Sequence, residues 1–274
     1  MDSTGTIVIV GAGLTAGKAA EGLRDNGFDG RVVLVGEEHH LPYERPPLSK
    51  GFLMDQDKLE TVFVHPPEWY DEYDIDLRLG TRVEALDVEA HTVTAGGEQL
   101  GWERLLLATG STPRRLKAAD ESGAPVAYLR TIEDSERIKQ SLQPGRRIVV
   151  VGGGWIGLEV AAAARTAGCE VMVLEMLEKP LVRVLGPEVA DVFIDLHDSH
   201  GVDLRTGVAV SSVTSREGRA VVELDGGASL EADLLVVGVG IAPNVELAQA
   251  AGLEVRDGVV VDEHLRTSHP DVFA

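Results

Sequence analysis

The chain is poor in cysteine. Among its 274 residues only Cys169 is present, which excludes an intramolecular disulfide and any Cys-x-x-Cys redox pair. It is also poor in positive charge, with 25 Lys and Arg against 45 Asp and Glu and a net charge of −20. No basic run occurs, so neither nucleic acid nor an anionic membrane surface is expected as a partner. No apolar stretch approaches the roughly 18 residues that a membrane helix needs. The first apolar run begins at Thr6, which leaves no room for a targeting peptide, and the expected location is cytoplasmic. What is abundant is small and aliphatic: 44% of residues are hydrophobic, with 31 glycines. That composition suits an α/β protein, and the length suits one large or two medium domains.

The most informative stretch runs from Ile148 to Glu175. A β-branched strand leads into Gly152-Gly153-Gly154-Trp155-Ile156-Gly157, an alanine-rich helix follows, and a second strand closes on Glu175. This is the layout that lays a dinucleotide pyrophosphate on a helix N-terminus. Gly152 allows the tight turn, Gly154 lets backbone approach the phosphates, and Gly157 lets helix and strand pack closely. Glu175, about 20 residues on, is placed to accept the ribose hydroxyls. The competing reading is a helix start that is glycine-rich for packing alone.

The chain has already done the same thing once. The strand Thr6–Val10 opens into Gly11-Ala12-Gly13-Leu14-Thr15-Ala16, a helix runs to about Asn26 and Gly27, and a strand from Arg31 leads to Glu37. Ala16 stands where close packing is needed. An acid in both copies favours a free 2′-hydroxyl, and so FAD and NAD rather than NADP. For Glu37 a solvated strand-end carboxylate is the alternative.

Three prolines then stiffen Leu41-Pro42-Tyr43-Glu44-Arg45-Pro46-Pro47-Leu48-Ser49-Lys50. Such a loop can aim Arg45 and Lys50 at an anionic cofactor; on physical grounds alone a solvated structural loop is an equal alternative. A helix end is expected at Trp69 to Asp74, a small antiparallel meander from Thr81, and a returning strand from Arg104 into Ala108-Thr109-Gly110. Further on, a strand is expected over Val126 to Arg130 and a helix from about Ile132 to Ser141. The second copy repeats the plan with a helix over Glu188 to His200, an alternating stretch from Gly207, and a return to Gly240-Ile241-Ala242-Pro243. The expected architecture is two similar Rossmann-like domains, each with a β-meander. Residues 1–113 and 241–274 would form the first, with Val259 to Asp262 and the closing His269 to Ala274 returning to it, and residues 114–240 the second.

Other constellations are weaker. His197 and His200 have helical spacing at a polar helix end, His39 and His40 read as a solvated pair, and no metal site is expected. Cys169, at a helix-to-strand junction, reads as a small packing residue.

The run Pro42-Tyr43-Glu44-Arg45-Pro46-Pro47-Leu48-Ser49-Lys50, the two dinucleotide turns, Ala108-Thr109-Gly110, Tyr128-Leu129-Arg130-Thr131, Trp155 to Glu159 and Gly240 to Asn244 together resemble the FAD-dependent, NADH-specific ferredoxin reductases of bacterial oxygenase systems. The resemblance covers Ile7 to Ala274 and implies the glutathione-reductase-like architecture. It implies that Gly11, Gly13 and Thr15 line the FAD pyrophosphate, Glu37 its ribose and the Val83 backbone its adenine, with Arg130 and Lys50 approaching the flavin. Gly154, Trp155, Ile156, Glu175 and Gly240 would contact NADH. Lys50 would pair with Glu159, close to where nicotinamide meets flavin N5. Glu159 has a second reading as a carboxylate in the first helical turn, favoured there by the helix dipole.

The family continues with a Gly-Asp motif and a third domain that covers the flavin ring. This chain stops at Ala274, so a truncated form with an incomplete FAD site is expected. The implied activity passes electrons from NADH through FAD to a [2Fe–2S] ferredoxin or a rubredoxin-type acceptor, docked on a basic patch drawn from Arg114, Arg115 or Arg137. The alternatives are an NADH oxidase or quinone reductase, or a non-catalytic dinucleotide-binding protein.

Overall fold

The computed structural model of the chain describes residues 5–274. The chain divides into two compact units. The first holds the chain up to Glu44, Leu59–Thr112 and Pro243–Ala274; the second holds Arg45–Lys58 and Pro113–Ala242.

The first unit contains β1 (Thr6–Val10), α1 (Leu14–Asp25), β2 (Arg31–Val35), β3 (Ile75–Arg78), β4 (Val83–Asp87), β5 (Thr92–Ala95), β6 (Glu98–Gly101) and β7 (Arg104–Leu107). Its main sheet runs Val272–Phe273, β7, β1, β2, β3, with every neighbour parallel. Val8, Ile9, Val32, Val33 and Leu34 are completely buried, as expected for β-branched and aliphatic strands covered on both faces. One cover is α1, which turns Ala16, Gly17 and Ala20 inward. On the other side the antiparallel meander β4–β5–β6 brings Val93, Leu100 and Trp102 against Val8, Val33 and Leu105. Each such side chain contributes about 1.5–3 kcal/mol by leaving water.

The second unit contains β8 (Val126–Ala127), α2 (Ile132–Ser141), β9 (Arg147–Val151), α3 (Trp155–Thr166), β10 (Glu170–Glu175), α4 (Val182–Ser199), β11 (Val202–Thr206), β12 (Val210–Arg216), β13 (Arg219–Leu224), β14 (Ser229–Ala232) and β15 (Leu234–Val237). Its parallel sheet runs β11, β10, β9, β15, β8. The meander β12–β13–β14 packs Val213, Val222 and Leu224 against Val149, Val151 and Leu235. The two sheets therefore share one strand plan.

Three expectations need correction. The segment Arg45–Lys58, expected with the first unit, belongs to the second. Ser135 on α2 donates to the Leu48 carbonyl at 2.7 Å, and Lys139 reaches Asp55 at 2.8 Å while lying 4.3 Å above the Phe52 ring. The strand expected over Val126 to Arg130 is only β8, because the chain leaves the sheet to build a helix cap. Thr131 and Asp134 form a capping box, and the Asp134 carboxylate accepts from the Arg130 and Thr131 N–H groups. Val259 to Asp262 lies in the first unit, with Val259 bridged to Val255. The helix expected from Glu188 is preceded by a further turn from Val182, with Gly186 at φ 78° and Pro187 starting the second stretch.

The strands β3 and β11 were not anticipated. Both are short, and both read hydrophobic-Asp-Leu-Arg: Ile75-Asp76-Leu77-Arg78 and Val202-Asp203-Leu204-Arg205. Each pairs in parallel with the strand that carries the acid, β2 or β10. Arg24 at the end of α1 fastens the approach to β3, donating to the carbonyls of Phe28, Gly30, Tyr73 and Asp74 at 2.5–2.9 Å.

The glycines of the second turn separate packing from access. A Cβ at Gly157 would stand 2.0 Å from the Gly152 carbonyl oxygen, whereas one at Gly154 meets nothing within 4 Å. Gly157→Ala is expected to cost about 3 kcal/mol or more, lowering Tm by roughly 6–12 °C in a thermal melt. Gly154→Ala should stay within about 0.5 kcal/mol of wild type.

Candidate functional site

Each unit presents a glycine turn at the C-terminal end of a central parallel strand, β1 or β9, and the two turns are built by the same contacts. Gly11 N–H donates to Val35 O at 2.7 Å and Gly152 N–H to Leu174 O at 2.8 Å. Gly11 has φ 114° and Gly152 φ 107°, a backbone region that other residues rarely enter. A Cβ on Gly11 would lie 2.1 Å from Ala108 O, and one on Gly152 would lie 2.3 Å from Gly238 O. The turn can run this close to the returning strand only without a side chain.

Beyond the turn, Gly13 caps α1 and Gly154 caps α3. Neither cap offers a side-chain acceptor, neither first turn carries an acid, and a Cβ at either glycine would enter open space. Unshielded N–H groups, positive helix-end charge and access for backbone are what a pyrophosphate requires. Thr15 is exposed beside the first turn, and Ala16 packs with no exposure at the position Gly157 holds in the second. Trp155 and Ile156, 45% and 36% exposed, open α3, and the Trp155 ring meets Phe193 edge-on at 5.8 Å.

The two acids differ. Glu175 is half-buried and already works inside its own turn: one carboxylate oxygen accepts from Gly153 N–H at 2.6 Å, the other from Leu177 N–H at 2.8 Å. Each oxygen keeps a lone pair for a ribose hydroxyl. Glu37 is 70% exposed on its side chain, with Arg82 Nη1 3.5 Å away. The solvated strand-end reading therefore stays open for Glu37, and its ribose role would need the side chain to be recruited.

In the first unit Ala108 follows β7, donating its N–H to Val10 O at 2.8 Å, and Thr109 and Gly110 continue from it. Asn244, not anticipated as a site residue, locks this corner. Its side-chain amide donates to Thr109 O at 2.8 Å, its backbone oxygen accepts from Thr109 Oγ1 at 2.7 Å, and its Oδ1 accepts from Thr112 Oγ1 at 2.7 Å. The signal was its place at the end of the Gly240-to-Asn244 run. Val83, half-buried, packs on the core beneath the meander. In the second unit Gly240 adopts φ 107°, and its carbonyl accepts from Arg114 N–H at 2.9 Å.

Lys50 Nζ lies 2.8 Å from Glu159 Oε1, and both residues belong to the second unit. Glu159 sits past the first turn of α3, which contains no acid, so the helix-dipole explanation loses its footing. Arg45 donates a guanidinium N–H to the Arg130 carbonyl, fixing the loop's start. The expected docking arginines are engaged locally. Arg114 donates to Ile241 O, Arg115 pairs with Asp120 and stacks 3.8 Å over Tyr128, and Arg137 lies 3.5 Å from Asp134. The side chains of Arg115 and Arg137 remain 60% exposed.

His197 is spent on structure, its ring nitrogens facing the carbonyls of Phe193 and Leu158 at 2.9 and 3.2 Å. Among the described residues His91, His269 and Asp271 do bring possible ligand atoms within 4.8 Å of one another. There the Arg104 guanidinium, 2.9 Å from Asp271, already supplies the positive charge. Cys169 is fully buried, and burial raises its thiol pKa. Among the described residues no helix is long and apolar enough to cross a membrane.

The comparisons with known proteins agree with this construction. The family described as pyridine nucleotide-disulphide oxidoreductase matches residues 5–274. The chain is 44% identical over 275 residues to the ferredoxin–NAD(+) reductase component of the anthranilate 1,2-dioxygenase system of Burkholderia cepacia, a match covering 99% of this chain and 67% of that protein. It is 41% identical to putidaredoxin reductase of Pseudomonas putida, over 100% of this chain and 67% of the relative. Among solved structures, the covalent putidaredoxin reductase–putidaredoxin complex superposes with a TM-score of 0.94 at 40% identity, covering 98% of this chain and 66% of that one. The chain thus spans about two thirds of the length of these relatives. On the match over residues 5–274 and on these identities, the chain belongs to the pyridine nucleotide-disulphide oxidoreductase family.

Proposed function

We propose that this chain is the two-nucleotide part of an NADH-dependent flavoprotein reductase that passes electrons through FAD to a small iron–sulfur protein, a [2Fe–2S] ferredoxin or a rubredoxin-type acceptor, in the cytoplasm. The observation that carries the proposal is the doubled glycine turn, two uncapped helix starts each followed by a strand leading to an acid. The relatives named as ferredoxin and putidaredoxin reductases supply the acceptor class. One buried cysteine in these 274 residues provides no dithiol, so electrons would leave directly to a protein partner.

Gly11, Gly13, Thr15 and Ala16 would hold the FAD pyrophosphate, with Glu37, Val83 and the Ala108–Gly110 corner around the rest of that nucleotide. Gly152, Gly154, Trp155, Ile156, Gly157, Glu175 and Gly240 would hold NADH. The open space at Gly13 and Gly154 is the feature that fits phosphate. FAD, when bound, supplies the conversion of a two-electron donor into single-electron steps. The chain's part is to place charges. Lys50 would direct its ammonium toward negative charge on the reduced flavin, Arg130 would approach the same region, and Glu159 would position Lys50 through their 2.8 Å contact.

Titration with FAD should give a bound-flavin absorption band, and NADH under anaerobic conditions should bleach it. A chain that shows no band at saturating FAD would end the reductase reading for these 274 residues.

Glu175→Ala should weaken NADH binding by about 10–100-fold, since a charged hydrogen bond contributes roughly 1.5–3 kcal/mol and the ribose would lose its acceptor. It should also lower Tm, because the Gly153 and Leu177 N–H groups lose their acceptor. Gly154→Ala should weaken NADH binding with Tm kept. Calorimetric titration with NADH beside a melt separates the two variants, and equal effects on both readouts would contradict the assignment.

A further inference from the structure

Lys50 does not hold Glu159 alone. Ser49, only 6% exposed, donates its hydroxyl to Glu159 Oε2 at 2.5 Å, while Lys50 Nζ meets Oε1 at 2.8 Å. Two successive residues thus take the two oxygens of one carboxylate. The Ser49 hydroxyl has a second acceptor, the Pro46 carbonyl at 3.3 Å. Having one hydrogen, it spends it on the shorter, charged contact.

The relative strengths decide which residue does the holding. The Lys50 side chain is 50% exposed and that of Glu159 27%. Ion pairs so open to water contribute little, and a lysine ammonium on a flexible stem is a poor orienting group. A short charge-assisted O–H···O⁻ bond from a buried hydroxyl is both stronger and more directional. Its donor is also fixed in space. Pro46 and Pro47 set the backbone of the turn, Lys50 N–H closes it on Pro47 O at 3.0 Å, and the fully buried Ser135 ties Leu48 O to α2.

We propose that Ser49 is a positioning residue: its hydroxyl anchors the Glu159 carboxylate so that the other oxygen stays turned to the Lys50 ammonium. The consequence for electron transfer rests on the reading of Lys50 given above; the anchoring itself does not.

The test uses the full chain without cofactor. Trace acylation with acetic anhydride, followed by peptide mass spectrometry, reports how tightly the Lys50 amine is held. Ser49→Ala should raise the Lys50 labelling rate about threefold, the size of a weak exposed ion pair. Glu159→Gln should raise it as much, the double variant no further, and Ser49→Thr should return it toward wild type. Thermal melts confirm that each variant is folded. If Ser49→Ala leaves Lys50 labelling unchanged, the proposal is overturned, whether or not Glu159→Gln raises it. If labelling responds as expected but the flavin-reduction rate of the FAD-loaded Ser49→Ala chain stays unchanged, the anchoring stands and the electron-transfer role of Lys50 falls.

Discussion

Both nucleotide units depend on one steric constraint, the approach of a glycine α-carbon to a neighbouring carbonyl oxygen. At Gly11 and at Gly152 the space for a Cβ is taken by the oxygen of Ala108 or Gly238. That proximity lets the chain leave the sheet in a single residue and start a helix directly above its edge. The same turn exposes the helix N–H groups and delivers the acid-bearing strand alongside, through the Val35 and Leu174 carbonyls. Packing and the exposure of the helix N–H groups are thus two results of one geometry.

Repetition of the plan has not made the two units equal. In the second, Glu175 is fixed by two backbone N–H groups and stands ready as an acceptor. Glu37 in the first is a solvent-facing side chain with a distant arginine. A preorganised acid loses less conformational freedom when a ribose arrives. The corner after β7 is the fixed part of the first unit's turn, where Asn244 makes three side-chain and backbone bonds to Thr109 and Thr112.

The proline-rich segment shows how short contacts override sequence order. Its neighbours along the chain, Glu44 and Leu59, lie in the first unit, yet Arg45–Lys58 lies in the second. Arg45 to Arg130 O, Ser135 to Leu48 O, and Lys139 to Asp55 and Phe52 account for that placement. Within it, Ser49 and Lys50 grip Glu159 from the same unit.

The sequence by itself determined the two βαβ turns, their acids and the meanders, because these follow from local rules: β-branched runs, glycine spacing and alternation. Even the short strands β3 and β11 carried a signal, a matching hydrophobic-Asp-Leu-Arg run in each copy. Tertiary structure alone decided what depends on distant partners. Tyr128 to Arg130 left the sheet because Asp134 offered a cap, and Val259 to Asp262 remained outside the parallel sheet despite their β-branched character. Glu159 met Ser49, beside the Lys50 that the family resemblance had already paired with it, more than a hundred residues away, a contact that no local periodicity encodes. Short-range sterics are written in neighbouring residues, whereas the pairing of a carboxylate, a hydroxyl and an ammonium is settled only when packing brings their backbones together.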